Sequence, residues 1–205
     1  MRLTNDQRGD TIIEVLFAIT IFSLIAVGGL SLMSQGTALA QRALEIGLVR
    51  QQIDAQADAL RYLNRAYVSD YGKRGSATDQ WNKIVVAHAV DKAQNFDTIA
   101  DGTTCHLPNP GDQPFALDLT KLQANPVLVP TNDTATYAKV RYDPPAARAE
   151  GVWIQAVRSV TKVGSGDGEV RPGFYDFHIR ACWQSPGQAA PITLGTIVRL
   201  YEPRG

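Results

Sequence analysis

The pattern of apolar and polar positions divides the chain into an apolar front, an amphipathic middle and a turn-rich back. From Val15 to Gln41 no residue carries a charge, and the apolar run Val15–Met33 spans 19 residues. That is close to the ~20 residues a helix needs to cross the hydrocarbon of a bilayer. Beyond Met33 the helical period continues while charge returns. Leu32, Leu39, Ile46, Ile53, Leu60 and Tyr67 recur every seven residues, with Ala43, Val49, Ala57 and Leu63 three or four positions away. These form one apolar stripe, and Arg42, Glu45, Arg50, Asp54, Asp58 and Arg61 are assigned to the other faces. No proline interrupts Asp10–Tyr71. One helix from Asp10 to Val68 is therefore predicted, about 90 Å long at 1.5 Å per residue. Its second half offers the stripe to a globular domain; a coiled-coil dimer is the competing use. Gly28-Gly29 loosens the span or lets a neighbouring helix approach, or is there by chance.

Gly72-Lys73-Arg74-Gly75-Ser76 ends this helix. Thr78-Asp79 reads as a second helix start, and Trp81, Ile84, Val85 and His88 share helical spacing, so a helix near 79–94 is expected. Residues 97–114 read as loop, with Gly102, Pro108, Pro110, Gly111 and Pro114. From Pro126 the chain reads as strands. Val152–Val163, Phe174–Trp183 and Leu194–Tyr201 are rich in β-branched and aromatic residues, separated by Gly164-Ser165-Gly166-Asp167-Gly168 and by Pro186-Gly187. Tyr175, Phe177, Ile179, Ala181 and Trp183 alternate with Asp176, His178, Arg180 and Cys182, which predicts an antiparallel meander with one apolar face laid on the helix. The fold class is α+β: a long N-terminal helix, transmembrane in its first half, packed in its second half against a C-terminal antiparallel sheet. The segments are a leader at 1–9, the membrane half at 10–33, the amphipathic half at 34–71, a variable region at 72–125 and the sheet region at 126–205.

Composition narrows the function. A chain of 205 residues, 44% apolar, supports one core. With 20 basic and 20 acidic residues the formal charge is zero, so no field favours nucleic acid and none is expected as a partner. The sequence contains no GxSxG, Walker glycine loop or HExxH, and no spacing organises its Ser, His and Asp residues for catalysis. No enzymatic activity is expected. Tyr71, Tyr137 and Tyr142 serve either a binding surface or the core.

The N-terminus carries the most specific signal. Arg2 and Arg8 precede the apolar run, which favours an N-terminus on the cytoplasmic side and an exported remainder. An uncleaved signal anchor and a signal peptide cut after Ala38-Leu39-Ala40 both accommodate this, although the run exceeds the ~7–15 residues of a usual signal core. Neither explains Glu14, whose carboxylate at a membrane helix start costs about 2.5 kcal/mol if deep. A cut between Gly9 and Asp10 supplies a partner: a new amine four residues before Glu14, which the Glu14 of a neighbouring helix can meet in an apolar surrounding.

Arg8-Gly9-Asp10-Thr11-Ile12-Ile13-Glu14-Val15 resembles the prepilin processing site of the type IV pilin and type II secretion pseudopilin family. The likeness covers roughly residues 2–40: a short basic leader ending in Gly9, Thr11 at the second mature position, Glu14 at the fifth, then the long apolar helix. Asp10 departs from it, standing where the family usually has Phe or Met. The resemblance implies cleavage between Gly9 and Asp10 by a prepilin peptidase, N-methylation at Asp10, and assembly through Thr11 and Glu14. It implies a structural subunit of a type IV pilus or related filament, a minor pilin by its mature length of 196 residues (205 minus the 9-residue leader). A pseudopilin is the nearest alternative, and a membrane-tethered enzyme or binding domain the more distant one. The implied partners are other pilin subunits, the prepilin peptidase, the inner-membrane assembly machinery and, before assembly, membrane lipid. The chain would be a single-pass cytoplasmic membrane protein first and part of an extracellular filament afterwards. The tripeptide Arg8-Gly9-Asp10 would be severed by that cut, so adhesion through it is not expected.

In an exported domain the two cysteines, Cys105 and Cys182, are expected to form a disulfide tying the proline-rich loop to the penultimate strand. Closing a loop of that size stabilises by up to about 4 kcal/mol. The alternative is a metal site of Cys105, His106, Cys182, His88 or His178, but no CxxC or HxxxH spacing supports it. Asp97, Asp101 and Asp167-Gly168-Glu169 offer oxygen ligands without forming a recognised calcium loop. No metal or cofactor is expected.

Overall fold

The computed structural model describes residues 10–73, 75–95, 98–100, 102–122, 126–127, 137–142, 147–160 and 172–203. The chain forms two compact units, Met1–Leu44 and Glu45–Gly205. A single helix, α1 (Asp10–Ser69), contributes to both. It ends one residue beyond the predicted Val68, where Gly72 takes a positive φ of 78°.

In the first unit every residue from Thr11 to Leu44 is exposed. In the second the predicted stripe becomes the spine of the core. Val49, Ile53, Ala57, Leu60, Leu63 and Tyr67 are buried, with Ile46 at the margin. They share one cluster with Phe177, Ile179, Ala181, Trp183, Val198 and Leu200 of the sheet. The intramolecular use of the stripe therefore prevails from Glu45 onward, and the layout is the expected α+β class.

The main sheet contains β1 (Ala89–Val90), β6 (Val152–Val160), β7 (Pro172–Trp183) and β8 (Ile192–Tyr201), in the order β1-β6-β7-β8. The meander β6-β7-β8 is antiparallel throughout, as the alternation predicts. β1 adds a parallel edge that the sequence does not announce. Two short ribbons accompany it, β2 (Ala116–Leu117) with β3 (Pro126–Val127), and β4 (Lys139–Arg141) with β5 (Arg148–Glu150). Gly151 joins β5 to β6 at a φ of 64°, and a Cβ there would collide with the Cys182 carbonyl, so the turn requires glycine.

The expected helix over 79–94 is corrected. α2 covers Ser76–Ile84 and a 3-10 turn covers Val86–His88 before the chain extends into β1. Ala89 and Val90 pair with Ala156 and Val157, so tertiary pairing to β6 overrides the helical spacing of Trp81, Ile84, Val85 and His88.

Candidate functional site: an exposed apolar helix and a disulfide-closed domain

The N-terminal half of α1 is predominantly apolar and exposed, which globular packing does not require. Ile13, Leu16, Phe17, Phe22, Leu24 and Ile25 are all exposed, Phe22 by 73%. Two of its hydroxyls bond within the helix. Thr20 donates to the Leu16 carbonyl at 2.5 Å, and Ser23 to that of Ile19 at 2.7 Å. Polar hydrogens bonded in this way suit a segment immersed in hydrocarbon. Among the described residues this is the one helix long and apolar enough to cross a membrane.

Thr11 and Glu14 lie exposed on its first turns, and Asp10 is the first helical residue. Gly9 falls outside the described residues. The structure places Glu14 on a surface without bringing it a partner from the described part of its own chain, and the carboxylate is the only acidic group between Thr11 and Gln41.

The disulfide is present. Cys105 and Cys182 are bonded, with Cα atoms 5.7 Å apart and a separation of 77 positions in sequence. Both sulfurs are consumed, so neither is a thiolate for the alternative metal site, and His88 instead places Nδ1 3.0 Å from the Ile84 carbonyl. Asp97, Asp101, Asp167, Gly168 and Glu169 lie outside the described residues.

The disulfide also corrects the expectation of one apolar and one polar sheet face. On the outer face Arg180 and Cys182 are buried, because the loop carrying Cys105 folds over them. Ile99, Trp153 and Cys182 form a second small core there, with Ala100, Cys105 and Leu107 against it. The Arg180 guanidinium donates to the Gln94 carbonyl, and its Nη2 lies 3.3 Å from His178 Nδ1. Burial, reinforced by the Arg180 charge and opposed by Asp176, holds the His178 imidazole below its ordinary value. The loop surface carries an open depression of about 890 Å³ lined by Gln94, Asn95, Thr98, His106, Asn109 and Asp112, among other residues.

Among the polar side chains drawn into the domain, three are not announced by the pattern: Glu45 and Gln56, which are buried, and Glu202, which is partly so. Glu45, assigned above to a solvent face, is 7% exposed and accepts hydrogen bonds from Trp183 Nε1 at 3.2 Å and Ser185 Oγ at 2.5 Å. It ties the β7–β8 turn to α1. Gln56 accepts from the Leu117 amide at 2.8 Å and donates to its carbonyl at 2.9 Å, completing β2 as another strand would. The signal for both was position. Glu45 is four residues before Val49, and Gln56 four before Leu60, so both sit on the stripe despite their polarity.

The third is Glu202, whose Oε1 accepts from Trp81 Nε1 at 2.8 Å. Burial raises its pKa, with the Trp81 hydrogen bond acting the other way. The Tyr67 hydroxyl nearby is pushed up to about 12 by burial, then by Glu202 and Tyr71. A carboxyl with a raised folded pKa stabilises the fold below the unfolded value of about 4.3 and loses that contribution as pH rises through the folded value. Glu202→Gln keeps an acceptor for Trp81 and removes the titration. The variant should be more stable than the parent at pH 7, with the gap closing toward pH 4. Melting curves of both proteins across that range check this; a constant gap would contradict it.

Compared with models of known protein families, with curated proteins and with solved structures, the chain matches none.

Proposed function

We propose that this chain is a structural subunit of a type IV pilus or related filament, of the pilin kind. A prepilin peptidase cuts between Gly9 and Asp10. α1 holds the mature chain in the cytoplasmic membrane with its N-terminus inside. Inner-membrane machinery then transfers it from lipid into a bundle of like helices outside the cell, where other pilin subunits surround it. The observation that carries this reading is the division of labour along α1. Residues 11–44 are exposed and predominantly apolar, whereas residues from Glu45 to Ser69 form the spine of a disulfide-bonded domain. Lipid and a helical bundle are equally apolar, so the transfer needs no change in the solvation of that surface. Glu14 supplies register: its carboxylate is most stable opposite the new ammonium at Asp10 of an adjacent copy, and shifted alignments leave it unpaired.

Glu14→Ala should leave membrane insertion and the Cys105–Cys182 bond intact while lowering incorporation into filaments about tenfold or more, since close interfacial charge pairs couple by about 1.5 kcal/mol upward. Quantifying the variant in sheared filaments against the membrane pool is the test; equal incorporation sinks the alignment role. Sequencing the mature N-terminus tests the reading as a whole. A start at Asp10 supports it, and a start at Met1 supports a tethered module instead.

A further inference from the structure

We infer that the open edge of β8 joins two copies of this domain through an antiparallel strand pair whose two-fold axis passes through Thr196. β8 is the last strand of the sheet. Its register against β7 is uninterrupted from Ile192↔Trp183 to Tyr201↔Phe174. The Glu202 amide extends that register by one step, donating to the Gly173 carbonyl at 3.3 Å. Hydrogen-bonded pairs in an antiparallel ladder recur at every second residue. Leu194, Thr196, Val198 and Leu200 therefore direct their amides and carbonyls toward β7, while Thr193, Gly195, Ile197, Arg199 and Tyr201 direct theirs outward.

The Tyr201 carbonyl is already taken by Asn64 Nδ2 at 3.1 Å, which agrees with this phase and closes one end of the edge. Pro191 has no amide to donate and closes the other. The open set is Thr193, Gly195, Ile197 and Arg199, and among the described residues no backbone hydrogen bond reaches its outer side. Natural sheets usually blunt such an edge with short strands, lysine, proline or a bulge. β8 has ten residues, with no proline or lysine and no register shift.

That set is symmetric about Thr196 and closed at both ends, so a second copy of the same strand offers a partner to every member of it. A second copy turned by the two-fold sets Thr193 against Arg199 and Gly195 against Ile197, so each open residue meets another open residue on the same face. A shift of two residues one way brings in Pro191, and the other way brings in the occupied Tyr201. A one-residue shift sets outward groups against inward ones. On the inner face the same register pairs Leu194 with Val198, Ile192 with Leu200, and Thr196 with itself, all favourable cross-strand partners. On the outer face Ile197, 61% exposed, lies opposite glycine, which leaves it room. Arg199 is the only charge on the strand. Asp176 holds it through two bonds of 2.7 Å, and it lies 4.0 Å over the Phe174 ring. The two Arg199 side chains of the pair start about 20 Å apart, six residues along the strand. Such a contact is isologous and closed, and so separate from the head-to-tail repeat of the proposed polymer.

The test uses the full chain in its membrane, with Thr196→Cys introduced and copper-phenanthroline as oxidant. Facing non-hydrogen-bonded residues have Cα atoms about 4.5 Å apart, within the span of about 4.4–6.8 Å that a disulfide bridges. Thr196→Cys should give a covalent homodimer and Arg199→Cys none. Adding Ile197→Pro removes an outward amide without touching the β7 ladder, and should lower the dimer yield at least tenfold. Ile197→Lys serves the same purpose if the proline variant loses the Cys105–Cys182 bond. No dimer from Thr196→Cys, an equal yield in both edge variants, or a product containing a different protein would each overturn the assignment. Association through the helix alone gives a yield indifferent to the edge variants, and so counts against it.

Discussion

Replacing Trp81 with alanine should destabilise the globular domain by about 4 kcal/mol, within the range of about 3–5 for a large buried aromatic. Trp81 is fully buried and stacked on Tyr67 with ring centres 5.1 Å apart. It meets Tyr175 and Phe177 edge-on at 6.1 Å each. The side chain thus joins α1, α2 and β7 in one aromatic cluster, and its removal leaves a hole that three rigid rings cannot collapse into. It also takes the indole donor from Glu202. For a domain of this size the loss corresponds to a drop of about 8–16 °C in melting temperature. Trp81→Phe, which keeps a ring but not the donor, should recover more than half of it. A thermal scan of both variants by near-ultraviolet circular dichroism decides; an alanine variant melting within about 3 °C of the parent would show that α2 is not an integral part of the core.

Exchanging both Cys105 and Cys182 for alanine should cost about 4 kcal/mol, from the loop of 77 positions that the bond closes in the unfolded chain. The loss is expected to be local before it is global. Ile99, Leu107 and Ala100 lie over Trp153, and the bond is the covalent tie between their loop and β7. Of the three tryptophans, Trp81 and Trp183 belong to clusters around α1, while Trp153 alone lies under this loop. The alanine pair should therefore expose one tryptophan to acrylamide quenching at temperatures where the main core remains folded. Unchanged quenching up to the global transition would mean that the loop holds its place by packing without the bond.

The two predictions fall on different faces of the same sheet, and the sequence foreshadows them unequally. Trp81 sits at helical spacing with Ile84, so its burial was legible. That its neighbours would be Tyr175 and Phe177, more than ninety residues away, was not. The outer core was hidden for a related reason. Period-2 alternation in β7 assigns Arg180 and Cys182 to the face away from the helix, and says nothing about what arrives to cover that face. Cys182 was the one hint, because its bond to Cys105 requires the proline-rich loop to approach.

The sequence by itself determined the parts of this protein governed by local period and by solvent. An uncharged run long enough for a bilayer, a seven-residue stripe and alternating strands specify an apolar helix, a spine and a meander, because burial of apolar side chains follows the geometry of helix and strand whatever the partner. Only the tertiary structure decided which polar side chains on the stripe would be kept inside. Glu45 and Gln56 remain because Trp183, Ser185 and the Leu117 backbone satisfy them, and those groups come from remote parts of the chain. It likewise decided that Ala89–Val90 would leave a helical pattern for β1 and that a loop would roof the outer face. These outcomes depend on long-range hydrogen bonds and packing, whose energies no single segment carries.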